Sequence, residues 1–236
     1  MDTRSGAQRI QAAMDEVSVI MAKQHKDPAL RSACRAIKRY QSARFENTYH
    51  DLLSTSNFGP ACGFFLSEIY GDRDFSQRDN EFSRIAGAIE RIFPQSIVEI
   101  AVDLAELHAE TERFDAEMAT FVLRTTPVKA TPEVSLATYT DAWNGTAACG
   151  DRLKQLNMVL HLGRRLNRVT RIPGVRLSLK AMRIPARAAK LTALQDFLER
   201  GLDTFCNLSR IPRGVDLFLQ AIEAREHRWM ASLIRE

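Results

Sequence analysis

Hydrophobic residues recur at three- and four-residue steps along almost the whole chain, which is the spacing of one face of an α-helix. The most regular stretch runs from residue 97 to residue 123. Its inward positions are predicted to be Ile97, Ile100, Leu104, Leu107, Thr111, Phe114, Met118 and Phe121. Such a stripe is typical of a helix in a bundle, and most of the acidic residues of this stretch are expected on the opposite face.

The same spacing, with breaks at prolines and glycines, predicts the other helices. They cover residues 6–23, 28–53, 76–93, 136–170 (with an interruption near 145–150), 175–182, 186–208 and 215–234, and one more contains residues 64–70. Asp27 before Pro28 is a start signal, because the aspartate can cap a helix and the proline fits its first turn. We therefore predict an all-α fold, a multi-helix orthogonal or bundle-like domain of about eight to ten helices.

Residues 124–135 contain two prolines and are predicted to be a linker. We expect residues 1–236 to form a single helical domain, in which 124–135 is the place for a subdomain break.

The stretch from Phe64 to Asp79 reads FFLSEIYGDRDFSQRD and joins the end of one helix to the start of the next. Gly71 can adopt the left-handed conformation that stops a helix, and Asp74 or Ser76 can cap the following one. Charged residues of both signs lie close together here, which predicts an ion-pair cluster. We expect this corner to act as a structural clasp between two helical layers, formed by Phe65, Tyr70, Gly71, Asp74, Arg78 and Asp79.

This corner also resembles part of a family of uncharacterised bacterial all-helical proteins. The likeness continues in EFSRI and IERIFP, in residues 105–118 and in residues 170–205. Its most specific patterns are FF-x4-YG-x-x-DF-x-x-RD and MR-x-PARAA-x-L-x-x-LQ-x-FLE-x-G. The resemblance implies an all-helical bacterial protein. That family has no established activity, so it implies no catalytic residue and no cofactor.

Composition narrows the class of protein. The chain has 236 residues, of which 45% are hydrophobic and 26% charged, as in a typical soluble globular protein. No apolar run approaches the ~20 residues that cross a bilayer. The N-terminal residues contain no apolar signal-peptide core, so a cytoplasmic location is expected.

The cysteines are scattered, which favours buried thiols over disulfides or a zinc site; they are Cys34, Cys62, Cys149 and Cys206.

Charge is unevenly distributed, although the net charge is only +4. Residues 151–190 hold eleven Lys or Arg and one acid, and residues 90–117 hold eight acids and two arginines. These two faces either meet each other or face water, or the basic one binds an anionic partner. No aromatic residue lies within the basic region, so stacking on nucleic-acid bases is not indicated. The candidate partner-binding residues are Arg164, Arg165, Arg168, Arg171, Arg176 and Lys180.

His108 and Glu112 are the candidate catalytic residues. They lie one helical turn apart beside the apolar stripe, near enough to share a hydrogen bond. A histidine–carboxylate pair at the edge of a core can transfer protons. The alternative is a histidine whose hydrogen bonds are satisfied inside the core.

Di-iron bundles carry Glu-x-x-His pairs, which this chain lacks. No calcium loop or nucleotide-binding glycine motif is complete either, so we predict no metal and no cofactor.

Two functions are compatible with these observations. The first is a non-enzymatic binding or adaptor protein whose basic C-terminal surface engages an anionic partner or another protein. The alternative is a helical small-ligand-binding protein or enzyme with a pocket near Tyr70, His108 and Glu112. A homodimer with a structural role is a third option.

Overall fold

Helices form every regular element of the computed structural model, which describes residues 4–68, 75–125, 133–146 and 149–234, and no strand occurs among these residues. The predicted all-α fold is confirmed. In chain order the helices are α1 (Gly6–Lys26), α2 (Pro28–Thr48), α3 (His50–Leu53), α4 (Gly59–Glu68), α5 (Ser76–Ile92), α6 (Gln95–Thr125), α7 (Leu136–Asn144), α8 (Cys149–Val169), α9 (Val175–Ala181), α10 (Arg183–Ala188), α11 (Thr192–Ser209) and α12 (Gly214–Leu233).

These helices outnumber the expected eight to ten because two predicted helices are each divided. The helix predicted over 28–53 ends at Thr48 and resumes as α3 after Tyr49, whose dihedral angles (φ −113°, ψ 15°) are not helical. The helix predicted over 186–208 is interrupted after α10, where Lys190 adopts a left-handed φ of 56°. A positive φ is uncommon in a residue with a Cβ, so no sequence signal marks this break.

The boundary between α1 and α2 follows from helix capping. The Asp27 side chain accepts hydrogen bonds from the backbone N–H groups of Ala29 and Leu30, at 3.0 and 3.1 Å. Pro28 takes the first position of α2, where its missing N–H is not needed. The helix start predicted at Asp27 and Pro28 is therefore confirmed.

The 31-residue helix α6 is the centre of the fold. It packs against α1, α2, α5, α7 and α8. The predicted inward stripe is buried at Leu107, Phe114 and Met118, but the first half of the helix is rotated away from that prediction. Small side chains lie on the buried side there, which lets α1 approach closely. These residues are Val98, Val102, Ala105 and Ala109.

Buried apolar residues form three clusters, and α4 contacts two of them. The ring of Phe64 stacks on Phe197 of α11, with 5.8 Å between centroids. The ring of Phe65 packs against Phe218 of α12 at 5.6 Å. The structural clasp itself stays a prediction. Of the other residues predicted for the clasp, Tyr70, Gly71 and Asp74 lie outside the described residues.

Helices from before and after the predicted linker pack against each other, as α11 does with α4 and α5. Residues 126–132 of that linker lie outside the described residues, and the single-domain organisation stays a prediction. Among the described residues, no helix has both the length and the apolar character needed to span a membrane.

The start of α12 gives a test of this packing. A Cβ on Gly214 would lie 2.4 Å from the carbonyl oxygen of Leu208 and 2.7 Å from the Cβ of Ile211. The backbone oxygen cannot yield cheaply, so Gly214→Ala is expected to lower the free energy of unfolding by about 1–3 kcal/mol in a denaturant titration. In the control Gly87→Ala, on the exposed face of α5, nothing lies within 4 Å of the new Cβ. That change should stabilise by about 0.5–1 kcal/mol, and equal effects of the two changes would contradict the described contact.

Candidate functional site

A cavity of about 50 Å³ lies between α2, α4, α5, α6 and α11. Its walls combine apolar side chains with an unusual number of ionisable ones. Its polar lining residues include Lys38, Gln41, Asp79, His108, Glu112 and Asp115. Charged side chains are rarely placed so far from water unless they are paired, so this cluster is the strongest candidate site in the described part of the chain.

Helix α6 supplies three of these groups because of its period. His108, Glu112 and Asp115 follow one another at four- and three-residue steps, which places them on one side of the helix. Glu112 and Asp115 are only 4% and 2% exposed. These two residues are therefore exceptions to the outward placement expected for most of the acidic run.

Two residues one turn apart on α2 face the carboxylates of α6. The Lys38 ammonium pairs with Glu112 Oε1, and the Gln41 amide donates a hydrogen bond of 2.9 Å to Asp115 Oδ1. The second carboxylate oxygen of Glu112, Oε2, is buried and has no hydrogen-bond partner among the described residues. An unsatisfied acceptor of this kind costs free energy in the folded state.

Burial changes the acidity of these groups. Loss of hydration raises the pKa of Asp115 from 3.8 to about 6, with the Lys38 ammonium opposing the change and the Glu112 carboxylate adding to it. Burial alone would lower the pKa of Lys38, but the negative charges of Glu112 and Asp115 outweigh it and raise that pKa. Lys38 therefore stays charged.

His108 bonds to a carboxylate on another helix. Its Nε2 lies 2.9 Å from Asp79 Oδ2 of α5, whereas the sequence led us to expect Glu112 as its partner. Asp79 Oδ1 accepts hydrogen bonds from Arg78 Nε at 3.1 Å and from Nη2 at 3.0 Å. Burial tends to raise the pKa of Asp79, but the hydrogen bond and charge of His108, together with the Arg78 charge, hold it below its usual value.

The Arg78 guanidinium is fixed between two aromatic rings. Its central carbon lies 4.3 Å from the ring centroid of Phe75 and 4.9 Å from that of Phe197. Arg78 also donates to the carbonyl oxygen of Glu68 at 3.2 Å. Since Arg78 orients Asp79 and Asp79 orients His108, these three residues form one hydrogen-bonded chain that ends at the cavity.

The basic C-terminal surface forms a second candidate site. Arg165 is used internally, because it bonds to Glu99 at 2.5 Å and to Asp103 at 3.2 Å on α6. Arg176 pairs with Asp203 at 2.5 Å. The remaining predicted cations are exposed and form no ion pair among the described residues; they are Arg164, Arg168, Arg171 and Lys180. The acidic and basic faces therefore meet at Arg165, while much of the basic face stays exposed.

Among the described residues, no three or more His, Cys, Asp or Glu side chains are arranged to hold a metal ion. Three cysteines are unpaired thiols, and Cys34 and Cys62 are buried. Burial raises the pKa of the Cys34 thiol to about 12, which makes it a poor nucleophile.

The family of this chain can be stated from one match. The model of a domain of unknown function, DUF8198, matches residues 21–236. This chain belongs to the DUF8198 family. The expected membership of an uncharacterised family is confirmed, while a bacterial origin stays a prediction. No curated protein and no solved structure matches the chain. The matched residues of this DUF8198 member include every side chain that lines the cavity.

Sequence reasoning placed His108 and Glu112 beside each other but missed Lys38, Gln41 and Asp115. A usable signal was present in the DUF8198 chain. On α2, Lys38 and Gln41 are three residues apart and flank buried positions, and α6 carries acids at the same spacing. Matching polar pairs inside two otherwise apolar faces indicate that the faces meet.

The Lys38–Glu112 pair predicts a large stability effect. Lys38→Met leaves a buried carboxylate without its counter-charge and is expected to lower the free energy of unfolding by about 3–5 kcal/mol in a urea titration. Adding Glu112→Leu should recover much of that loss, because the unpaired charge is then removed as well. As a control, Lys154→Met breaks a surface pair with Asp151 and should leave the midpoint unchanged. A small effect of Lys38→Met would contradict a strong contribution of the Lys38–Glu112 pair to stability.

Asp115 predicts a dependence on pH. Its pKa of about 6 in the folded protein lies above that of an unfolded aspartate. The folded state therefore holds a proton that the unfolded state has released, and this group's contribution to stability falls as the pH rises from about 4 to about 6. Asp115→Asn keeps an acceptor for Gln41 but removes the titration. The stability of the parent minus that of this variant, from urea titrations, should fall across this window and level off above it. A flat difference would contradict the raised pKa.

Proposed function

We propose that the chain is a non-enzymatic binding protein whose basic C-terminal surface docks on an anionic lipid bilayer. The observation that supports this most directly is the exposure of two large aliphatic side chains in the segment 171–190. Leu177 is 73% exposed and Ile184 is 81% exposed. Exposed side chains of this size next to cations suit a surface that is anionic at the headgroups and apolar beneath them.

The cations of this region are available for such a surface. Six of them are exposed and form no ion pair among the described residues; they are Arg164, Arg168, Arg171, Lys180, Arg187 and Lys190. Each Lys or Arg near an anionic membrane contributes about 1 kcal/mol. Several of them acting together with two inserted aliphatic side chains are sufficient for reversible binding.

The segment is held to the body of the protein by polar contacts rather than by its exposed apolar residues. Arg176 pairs with Asp203 of α11, and Arg183 pairs with Glu199 of the same helix. The Gln195 side chain donates a hydrogen bond of 2.6 Å to the carbonyl oxygen of Leu179. Because these contacts dock α9 and α10, Leu177 and Ile184 are left for an external partner.

A bilayer suits this surface better than nucleic acid does. No aromatic residue lies between residues 164 and 190 to stack on bases. Phosphate contacts alone would leave the exposed aliphatic side chains in water, whereas a bilayer removes them from it. A cytoplasmic location, which the sequence predicts, would present the protein to the anionic inner leaflet.

A second candidate function is small-ligand binding in the cavity between α2 and α6. It is supported by the convergence of His108, Glu112 and Asp115 on that cavity. The His108–Asp79 pair would give such a site a group that can accept and return a proton. Tyr70, which we also expected there, lies outside the described residues.

Vesicle sedimentation tests the first function. The full chain is expected to bind vesicles that contain equal amounts of phosphatidylcholine and phosphatidylglycerol, but not phosphatidylcholine alone. Added salt should weaken binding, because screening reduces the attraction between exposed charges. The combined change Arg168→Gln, Arg171→Gln and Arg187→Gln should abolish sedimentation. The combined change Leu177→Ser and Ile184→Ser should weaken sedimentation even at low salt, where the attraction between charges is strongest.

Matched controls separate this surface from charge in general. Arg31→Gln, Arg35→Gln and Arg39→Gln remove the same number of exposed cations from α2, and Val19→Ser removes an aliphatic side chain that is 55% exposed on α1. Both controls should leave vesicle binding nearly unchanged. Binding that is insensitive to salt, absent, or directed to duplex DNA instead would contradict the proposal.

A further inference from the structure

Resting on the second proposed function, we propose that the cavity binds a small primary ammonium compound. The charged nitrogen would donate to Glu112 Oε2, and a short apolar chain would lie against Leu104 and Leu107. Both leucines line the cavity together with Phe82 and Leu194. Three features support this ligand class: the unpaired oxygen of Glu112, the charges around that oxygen, and the volume of the cavity.

The acceptor is the second oxygen of Glu112. Glu112 is only 4% exposed, and it lines the cavity. Its Oε1 is used by Lys38, whereas Oε2 has no partner among the described residues. A buried carboxylate oxygen without a donor is destabilising, so a ligand that supplies an N–H group would be bound favourably.

The charges around Glu112 and Asp115 are nearly balanced, so the choice of a cation depends on the acceptor itself. Four carboxylates line the cavity, namely Glu68, Asp79, Glu112 and Asp115, against the fixed positive charges of Lys38 and Arg78. Arg200 compensates Glu68 from outside at 2.8 Å, and Arg78 is already engaged by Asp79. Glu112 and Asp115 are faced by Lys38 and by the buried Arg152 of α8, whose charge acts on Asp115. A protonated amine is preferred to a neutral donor because a charged donor makes the stronger hydrogen bond to a carboxylate oxygen.

The volume limits the ligand to a small molecule. A cavity of about 50 Å³ has room for roughly three to five water-sized groups. The described residues offer no set of three ligands for a metal ion, whereas one ammonium group needs only hydrogen-bond acceptors. The apolar walls suit a short alkyl chain, so a primary alkylamine matches the cavity in size and polarity.

Isothermal titration calorimetry with n-propylammonium chloride tests this inference. Binding is expected at about millimolar affinity, since a ligand of so few heavy atoms has little surface to offer. Sodium propionate and n-propanol, which have the same length but are negative and neutral, should bind much more weakly. Glu112→Gln should reduce the affinity for n-propylammonium by about 10- to 100-fold, which corresponds to the loss of one charge-assisted hydrogen bond.

Two further variants keep the test decisive. Leu104→Phe fills the cavity while leaving Glu112 in place, so it should also abolish binding even if Glu112→Gln fails to fold. Glu117→Gln removes an exposed carboxylate from the same helix and should leave the affinity unchanged. Circular dichroism of each variant confirms its fold.

The possible failures are distinguishable. Binding of propionate or propanol, but not of n-propylammonium, that is lost in Leu104→Phe would overturn the ammonium class and leave the second function standing. No binding of any of the three compounds would remove both. Binding of n-propylammonium that survives Glu112→Gln and Leu104→Phe would place it elsewhere and overturn the inference.

Discussion

The enclosure of α6 by its neighbours is the constraint on which the rest of the structure depends. Because α1, α2, α5, α7 and α8 all pack on this helix, Glu112 and Asp115 on its buried side are almost fully shielded from water. Glu112 and Asp115 must therefore find partners on other helices, and they find them on α2. A buried ion pair adds little to stability by comparison with apolar packing, but breaking it is expensive. The pairs thus fix how α2 is placed along α6.

A buried carboxylate also fixes the arrangement around α11. That helix has no side-chain cap of its own, and Glu81 of α5 supplies one by accepting a hydrogen bond of 2.7 Å from the Leu194 N–H. A carboxylate near a helix N-terminus is stabilised by the helix dipole. Helix α5 therefore supplies both the carboxylate that caps α11 and the Asp79 partner of His108, so the cavity wall and the start of α11 are built by one helix.

The sequence predicted where most helices lie, but it did not predict which residues meet at the cavity. Helical spacing and the signal at Asp27 located most helices within a few residues, since both depend on local contacts. Helical spacing along α6 did not show that Glu112 and Asp115 pair with α2, because spacing within one helix cannot identify its contacts with another. Arg113 and Glu117 of the same stretch do face water. His108 was placed correctly on the helix, but its partner Asp79 comes from a helix nearly thirty residues earlier, and local spacing cannot identify such a contact.

The turn at Lys190 has a left-handed residue that is not glycine. Its φ of 56° costs about 1 kcal/mol in a residue with a Cβ, and the two carbonyl groups at this turn accept hydrogen bonds from Arg84 on α5. The turn is thus maintained by a distant side chain and not by its own residue type. Glycine or asparagine at position 190 would adopt the same φ at lower cost, so either residue would make this turn less dependent on the arginine.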